Sequence, residues 1–252
     1  MFDAGIPARL EKIGGNLSLW LENLKSGETL KMNPDGDHIA ASVIKLGVLL
    51  AAFKAFDEGK MNPDALVEVK AQYKVPSCGA LTYMHDGIKV TNLDLATLMI
   101  ILSDNTATNM LIDALGIDYI NEVLREYGLS GICLRRKLFD SEASANGLEN
   151  TVTARDVAAF YRLLYLKQLV SPAASDKMLS ILLDQRLNGK IPFYLHERGI
   201  KVAHKTGEDD GVTHDTGIIF ADAPIIAVFL GNDTSVPGFE RTMQDIAKEI
   251  AL

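Results

Sequence analysis

The sequence predicts an α/β fold of the α+β type, in which helices flank one antiparallel five-stranded sheet and an all-helical lobe is inserted between its strands. Two observations support this prediction. Short strand-like segments lie near both ends of the 252-residue chain, and the residues between them have helical periodicity. We therefore expect one α/β lobe formed by residues 1–40 and 190–252, a helical lobe formed by residues 41–189, and a cleft between them.

The predicted strands are short and bounded by turn residues. Near the N-terminus, residues 17–24 alternate in part between apolar and polar, and Lys25-Ser26-Gly27-Glu28 is typical of a hairpin turn before a second strand. Three later segments are β-branched and bounded by Gly, Asp and Pro. These segments are 200–205, 216–221 and 225–230. Residues 239–252 have the apolar spacing of a closing helix.

Apolar periodicity and capping residues predict helices in the middle of the chain. The predicted helices span residues 42–56, 91–102, 106–115, 153–166 and 173–187. No apolar stretch among them reaches membrane-spanning length.

Composition narrows the possible partners. The net charge of −8 and the pI near 5.1 argue against a nucleic acid or an anionic membrane, because both attract basic surfaces. Neither a metal-ligand spacing nor a cofactor is expected, and Cys78 and Cys133 are compatible with one disulfide or two free thiols. We expect a monomer that acts on a small molecule. The N-terminus lacks the pattern of a signal peptide, so the expected location is extracytoplasmic if an export signal was removed and cytoplasmic otherwise.

Three short motifs in a fixed order predict a serine hydrolase. They are Ser42-Val43-Ile44-Lys45, Ser103-Asp104-Asn105 and Lys205-Thr206-Gly207. Ser-x-x-Lys alone is weak evidence, since a chain of this length contains about one by chance. Together the motifs supply a nucleophile with a nearby amine, a second hydroxyl with an amide, and a third amine with a hydroxyl.

Ser42 and Lys45 are three residues apart and would lie on one face of a helix, one turn apart. Ser42 would be the nucleophile and Lys45 its general base, provided that burial and a second positive charge lower the lysine pKa. Lys205 is the candidate for that second charge. Taken singly, Ser42 is more typical of a helix cap than of a nucleophile, and Lys45 is more typical of an exposed helix lysine than of a general base.

The other two motifs predict proton transfer and substrate binding. Ser103 would pass a proton to the leaving nitrogen, Asn105 would bind a substrate carbonyl, and Asp104 would be a buried bracing residue.

At the third motif, Lys205 and Thr206 would bind a substrate carboxylate, and Gly207 would let the substrate backbone approach a strand end. The backbone amides of Ser42 and Glu208 would form an oxyanion hole.

These motifs resemble those of the penicillin-recognising serine hydrolases, specifically the class A β-lactamase branch. The segments 102–109 and 149–156 are also similar to stretches of that family. The resemblance implies a β-lactamase/transpeptidase-like fold, a single catalytic unit, and an acyl-enzyme formed on Ser42 from a β-lactam or a D-alanyl-D-alanine-like amide of a peptidoglycan stem peptide.

The sequence departs from the class A pattern in the omega loop, where those enzymes have Glu-x-x-x-Asn. An ungapped count from Asn150 places Lys137 at the glutamate position, and Glu142 has the correct spacing to Asn146 but lies five residues late. Residues 134–142 are more similar to the loop of class A-like D,D-peptidases. We therefore predict weak or no β-lactam turnover. The alternatives are a true class A β-lactamase that deacylates through Glu142 and a non-catalytic β-lactam or muropeptide sensor.

A second departure follows Gly207. Many class A enzymes carry an arginine on the next strand, whereas this chain has His214 in that region. His214 is the candidate substitute, although a lone histidine in a turn is more often structural.

Overall fold

The computed structural model describes residues 1–76 and 79–252. Cys78, whose pairing with Cys133 the sequence leaves open, lies outside the described residues. In chain order, the elements are α1 (Ile6–Glu11), β1 (Asn16–Asn23), β2 (Thr29–Met32), β3 (His38–Ile39), α2 (Lys45–Asp57), β4 (Leu66–Val69), β5 (Ile88–Thr91), α3 (Asn92–Ile101), α4 (Asn105–Leu115), α5 (Ile117–Glu126), α6 (Ser141–Ala145), β6 (Thr151–Val152), α7 (Ala154–Tyr165), α8 (Pro172–Leu183), β7 (Lys201–Asp209), β8 (Val212–Phe220), β9 (Ile225–Asn232) and α9 (Val236–Ala251).

The central sheet is antiparallel and five-stranded, which confirms the predicted architecture. Its strand order is β2-β1-β9-β8-β7, so the two ends of the chain meet where β1 pairs with β9. β9 is buried along its whole length, as expected for a central strand. β7 is an edge strand, and the short 3-10 turn Ala41–Ile44 packs against it.

β7 and β8 are longer than the sequence predicts. We expected β7 to end at Lys205 and β8 to begin at Thr216, but pairing continues until Asp209 lies opposite Val212. The connecting turn is therefore very short, and Gly211 has the positive φ (69°) that suits a tight hairpin. Cross-strand pairing and burial override the weak strand propensity of these residues.

Both faces of the sheet are covered by helices. On one face, α1 and α9 enclose an apolar core that includes Leu10, Phe229 and Phe239. On the other face, α7 packs against β1, β8 and β9, and this core continues into the helices around α2. The core thus runs across the boundary between residues 189 and 190, and the division into two lobes stays a prediction.

Local signals explain where the longer helices begin and end. α3 begins with a capping box in which the side chains of Thr91 and Asp94 accept from each other's backbone amides. α8 ends earlier than predicted, because Gln185 turns inward and donates to the carbonyl of Ile100 at 2.8 Å. Within residues 1–76 and 79–252, no helix is both long and apolar enough to span a membrane.

Candidate active site

Ser42 lies in the turn Ala41–Ile44, immediately before α2. Val43 and Ile44 anchor this turn, since both side chains are fully buried in the core. Ala41 has a φ of 42°, a costly conformation for a residue with a side chain and one that recurs near functional sites. The anchored turn presents Ser42 at the wall of a cleft.

Lys45 is the first residue of α2 and is fully buried. Its Nζ lies 2.9 Å from Ser42 Oγ. Three further oxygens surround it, namely the Ser103 carbonyl (2.8 Å), Ser103 Oγ (2.8 Å) and Asn105 Oδ1 (2.6 Å). The carbonyl and amide oxygens can only accept hydrogen bonds. A neutral amine has two N–H groups for them and one lone pair, so Lys45 can take the proton of the Ser42 hydroxyl.

The Ser103 hydroxyl lies between two buried amines. Its Oγ is 2.8 Å from Lys45 Nζ and 3.0 Å from Lys205 Nζ. Ser103 has a φ of 53°, a conformation that costs about 1–3 kcal/mol and that the surrounding helix ends must maintain. Because a hydroxyl both donates and accepts, Ser103 can relay a proton from one amine toward a substrate.

Asp104 joins the start of α4 to the loop that contains Leu81. It is fully buried and accepts hydrogen bonds from the backbone amides of Ala107 (3.0 Å) and Leu81 (2.8 Å). Gly79 passes so close that a Cβ there would collide with the Asp104 carboxylate. Asp104 therefore caps α4 and fixes the neighbouring loop, the arrangement expected of a buried bracing residue.

Asn105 lines the cleft and has partners at both ends of its amide. Oδ1 accepts from Lys45, and Nδ2 donates to the carbonyl of Pro76 at 3.1 Å. The substrate-binding role of Asn105 stays a prediction.

Lys205 and Thr206 lie inside the protein at the middle of β7. Lys205 is fully buried and Thr206 is 2% exposed. Lys205 Nζ donates to Ser103 Oγ and to the Thr206 carbonyl at 2.9 Å. The structure thus brings Lys205 to the relay hydroxyl, and direct contact of either side chain with a substrate carboxylate stays a prediction.

Gly207 lies where β7 packs against the Ser42 turn. A Cβ at this position would be 2.9 Å from His214 Cδ2 and 3.2 Å from Val43 Cγ2. The structure shows that glycine here lets the strand approach the turn, and the approach of a substrate backbone at Gly207 stays a prediction. Glu208 follows and lines the cleft together with Ser42. An oxyanion hole formed by the backbone amides of these two residues stays a prediction.

The sequence motifs did not identify a third buried amine, Lys190, which is 3% exposed. Its Nζ donates to the carbonyls of Gly207 (3.3 Å) and His214 (3.2 Å) and lies 3.0 Å from Glu208 Oε1. Lys190 therefore ties the cleft end of β7 to β8. It precedes β7 in a segment without periodicity, so its spacing from other motifs gave no signal.

The cleft has a volume of about 310 Å³ and lies between Ser42 and the loop of residues 136–150. Leu138 lines this cleft, and Asn109 holds the Leu138 backbone through two hydrogen bonds of 2.9 Å, one to its amide and one to its carbonyl. Lys137, which the ungapped count placed at the glutamate position, lies outside the lining and pairs with Asp113 at 2.9 Å.

The carboxylates of this loop differ in position. Glu142 is exposed on α6 and does not line the cleft, so the structure does not bring it to Ser42. Glu149 does line the cleft, and the sequence motifs did not single it out. Burial raises the pKa of Glu149, but hydrogen bonds from Ser144 and Arg136 outweigh burial and hold the pKa below its ordinary value.

His214 is fully buried on β8 and not in a turn. Its Nε2 donates to the carbonyl of Ile39 (2.8 Å), and its Nδ1 accepts from the amide of Gly231 (3.0 Å). Burial lowers the pKa of His214 to about 3. The ring is therefore neutral and enclosed, and it cannot replace an arginine that binds a carboxylate.

Comparisons with known proteins agree with this geometry. The model of the Beta-lactamase enzyme family matches residues 2–251. The fold is similar to a beta-lactamase from Sphaerobacter thermophilus, with 31% identity, a TM-score of 0.90, and coverage of 99% of this chain and 96% of that chain. It is also similar to a variant of PBP-A in an acyl-enzyme complex with penicillin G, with 28% identity, a TM-score of 0.87, and coverage of 98% and 92%.

A curated relative is the beta-lactamase regulatory protein BlaB of Streptomyces cacaoi, which is 26% identical over 135 residues. The match covers 53% of this chain and 43% of that protein, so the chain spans less than half of this relative. The family match covers nearly the whole chain, and the solved structures share the complete fold. The chain therefore belongs to the beta-lactamase enzyme family and has the fold of class A β-lactamases and penicillin-binding serine hydrolases.

Proposed function

We propose that Ser42 forms an acyl-enzyme with β-lactams or with D-alanyl-D-alanine-type amides of peptidoglycan stem peptides. The observation that supports this most directly is the contact of the buried Lys45 amine with the hydroxyls of both Ser42 and Ser103. Removal from water disfavours the charged form of an amine. A neutral Lys45 has the lone pair that a general base needs.

In the proposed reaction, Ser42 Oγ bonds to the amide carbon while Lys45 takes the hydroxyl proton. The backbone amides of Ser42 and Glu208 stabilise the oxygen that becomes negative. The carbon–nitrogen bond then breaks, and Ser103 gives its proton to the leaving nitrogen and receives one from Lys45. An ester on Ser42 and a protonated leaving amine result. Asn105, Lys205 and Thr206 bind the substrate, with Lys205 also bonded to Ser103.

We infer that the β-lactam acyl-enzyme hydrolyses slowly. Deacylation needs a base beside a water molecule. Leu138 lines the cleft from the loop in which class A β-lactamases carry their glutamate, and Glu142 is exposed elsewhere. Glu149 is a weak base, because its carboxylate already accepts hydrogen bonds from Arg136 and Ser144. Efficient deacylation through Glu142 would require α6 to move.

The test follows the intact mass of the protein over time after mixing with excess penicillin G. We expect one adduct per chain that persists for many minutes, with the same lifetime in Glu142→Gln. Rapid turnover of penicillin that Glu142→Gln abolishes, while acylation survives, would instead establish the alternative of a true class A β-lactamase.

A second candidate is a non-catalytic sensor that binds a β-lactam or a muropeptide and signals through a partner. The similarity to the regulatory protein BlaB favours it. A D-alanyl-D-alanine peptide separates the two candidates, since a hydrolase releases the terminal D-alanine and a sensor does not. For either role we propose a location outside the cytoplasm, where class A β-lactamases typically act.

A further inference from the structure

Behind the contact between Ser103 and Lys205, polar side chains form a hydrogen-bonded row from the end of α3 to β7 and β8. The row consists of Gln185, Asn188, His204 and Asp215. His204 and Asp215 are fully buried, and Gln185 is 3% exposed. Gln185 Nε2 donates to the carbonyl of Ile100 at 2.8 Å, three residues before Ser103. His204, at the other end, immediately precedes Lys205.

The orientation of Asn188 determines one proton of His204. Asn188 Nδ2 donates to the carbonyl of Gln185 at 3.2 Å, so Asn188 Oδ1 faces His204 Nε2 at 3.1 Å. The reverse orientation would place two oxygens against each other. An amide oxygen only accepts hydrogen bonds, and therefore His204 Nε2 carries a proton.

Asp215 determines the other proton. Its Oδ1 lies 2.8 Å from His204 Nδ1 and accepts from the amide of Thr216 (3.0 Å). Its Oδ2 accepts from the amide of Ile191 (3.0 Å). Asp215 thus presents a carboxylate oxygen to His204 Nδ1, and the ring has an oxygen acceptor at each nitrogen.

We infer that His204 is a positioning residue that holds Lys205 against Ser103, an inference that rests on the proposed function. The row joins the backbone just before Ser103 to the residue just before Lys205. If one of the two His204 hydrogen bonds is lost, a buried donor or acceptor lacks its partner, and we expect β7 to shift to compensate. Such a shift would lengthen the 3.0 Å contact between Lys205 Nζ and Ser103 Oγ, which in the proposed reaction orients Ser103 for proton transfer.

The test compares His204→Gln with His38→Gln. His38 is a matched control, because it is equally buried and bonded through both ring nitrogens, to Asn232 and Ser18. For each folded variant, the binding constant and the first-order acylation rate with penicillin G are measured. We expect His204→Gln to lower the first-order rate at least tenfold with little change in binding, and His38→Gln to change the rate less than twofold. A rate within twofold of wild type in folded His204→Gln would overturn the inference.

Two further measurements keep the test decisive. If His204→Gln does not fold, Asn188→Ala removes the Nε2 acceptor from a half-buried position and should slow acylation in the same way; an unchanged rate overturns the inference. Nitrogen-15 NMR of the wild-type protein at neutral pH should show a proton on each ring nitrogen of His204. A single ring proton would contradict the hydrogen bonds that we assign from His204 to Asn188 and Asp215. A wild-type protein that forms no penicillin adduct would defeat the proposed function, while the NMR result would still decide the inference.

Discussion

At the scale of single residues, the chemistry depends on what surrounds two buried lysines and one loop leucine. Lys45 contacts four oxygens, two of which belong to the hydroxyls of Ser42 and Ser103, and Lys205 contacts the Ser103 hydroxyl. This difference favours Lys45 as the base and Lys205 as the group that orients Ser103. Leu138 lines the cleft and has no proton-accepting atom, so in the proposed reaction we expect it to affect only the step that needs a water-activating base.

Replacing Leu138 with Glu should therefore shorten the life of the acyl-enzyme. Asn109 fixes the Leu138 backbone, so the new carboxylate should enter the cleft beside the ester. General-base catalysis is worth about 10²–10⁴-fold, and we expect at least a tenfold faster loss of the penicillin adduct. The control is Leu148→Glu, which adds the same charge at an exposed position of this loop outside the cleft lining. Equal adduct lifetimes in the two variants would show that Leu138 does not limit deacylation.

At the scale of secondary-structure elements, the site is a junction of an edge strand, a 3-10 turn and a helix end. β7 continues past Gly207 and packs against the Ser42 turn. Lys190 Nζ donates a hydrogen bond to the carbonyl of Gly207. The close approach of strand and turn fixes the distance between Ser42 and Glu208. A side chain at Gly207 would force these elements apart.

We expect Gly207→Ala to slow acylation at least tenfold and to lower the free energy of unfolding by about 1–3 kcal/mol, the usual cost of overpacking. The new Cβ would meet His214 and Val43 at 2.9 and 3.2 Å. Gly189→Ala is the control, because a Cβ there meets no atom within 4 Å. Acylation rates and urea unfolding are measured for both. An acylation rate of Gly207→Ala equal to that of the wild type would show that the packing of β7 on the turn does not determine the geometry of the active site.

At the scale of the whole molecule, the sequence predicted the parts of the site that depend on local spacing. The sheet follows from strand patterns at both chain ends, and Ser42, Lys45 and Ser103 follow from compact motifs. Lys190 was missed because it lies in a segment without periodicity, and Gln185 because it falls within the helix predicted over residues 173–187; both find their partners only in three dimensions. Leu138 was missed because the conformation of a loop cannot be obtained by counting residues.

The stability of the whole protein should fall with acidification. Burial lowers the pKa of His214 to about 3, and burial also lowers that of His38. An unfolded histidine has a pKa of about 6.5. Since the folded pKa is the lower one, the stabilisation is complete above pH 6.5 and is lost as the pH falls toward 3. One such group contributes about 1.4 kcal/mol per pH unit between its two pKa values.

Urea unfolding between pH 6.5 and 4 measures this dependence. We expect His214→Gln to reduce the pH slope of the unfolding free energy by about one proton, while His196→Gln, at an exposed position, leaves the slope unchanged. An unaltered slope in His214→Gln would show that this histidine is not buried in its neutral form.

The most direct test of the central claim is to map where a labelled penicillin attaches. Wild-type protein, Ser42→Ala and Ser141→Ala are each exposed to the label, digested and analysed by mass spectrometry. Ser141 is the control, because it is a second serine in the same cleft wall. We predict one label per chain on Ser42 in the wild type and in Ser141→Ala, and none in Ser42→Ala. Labelling of Ser42→Ala at the wild-type rate would contradict the assignment of Ser42 as the nucleophile.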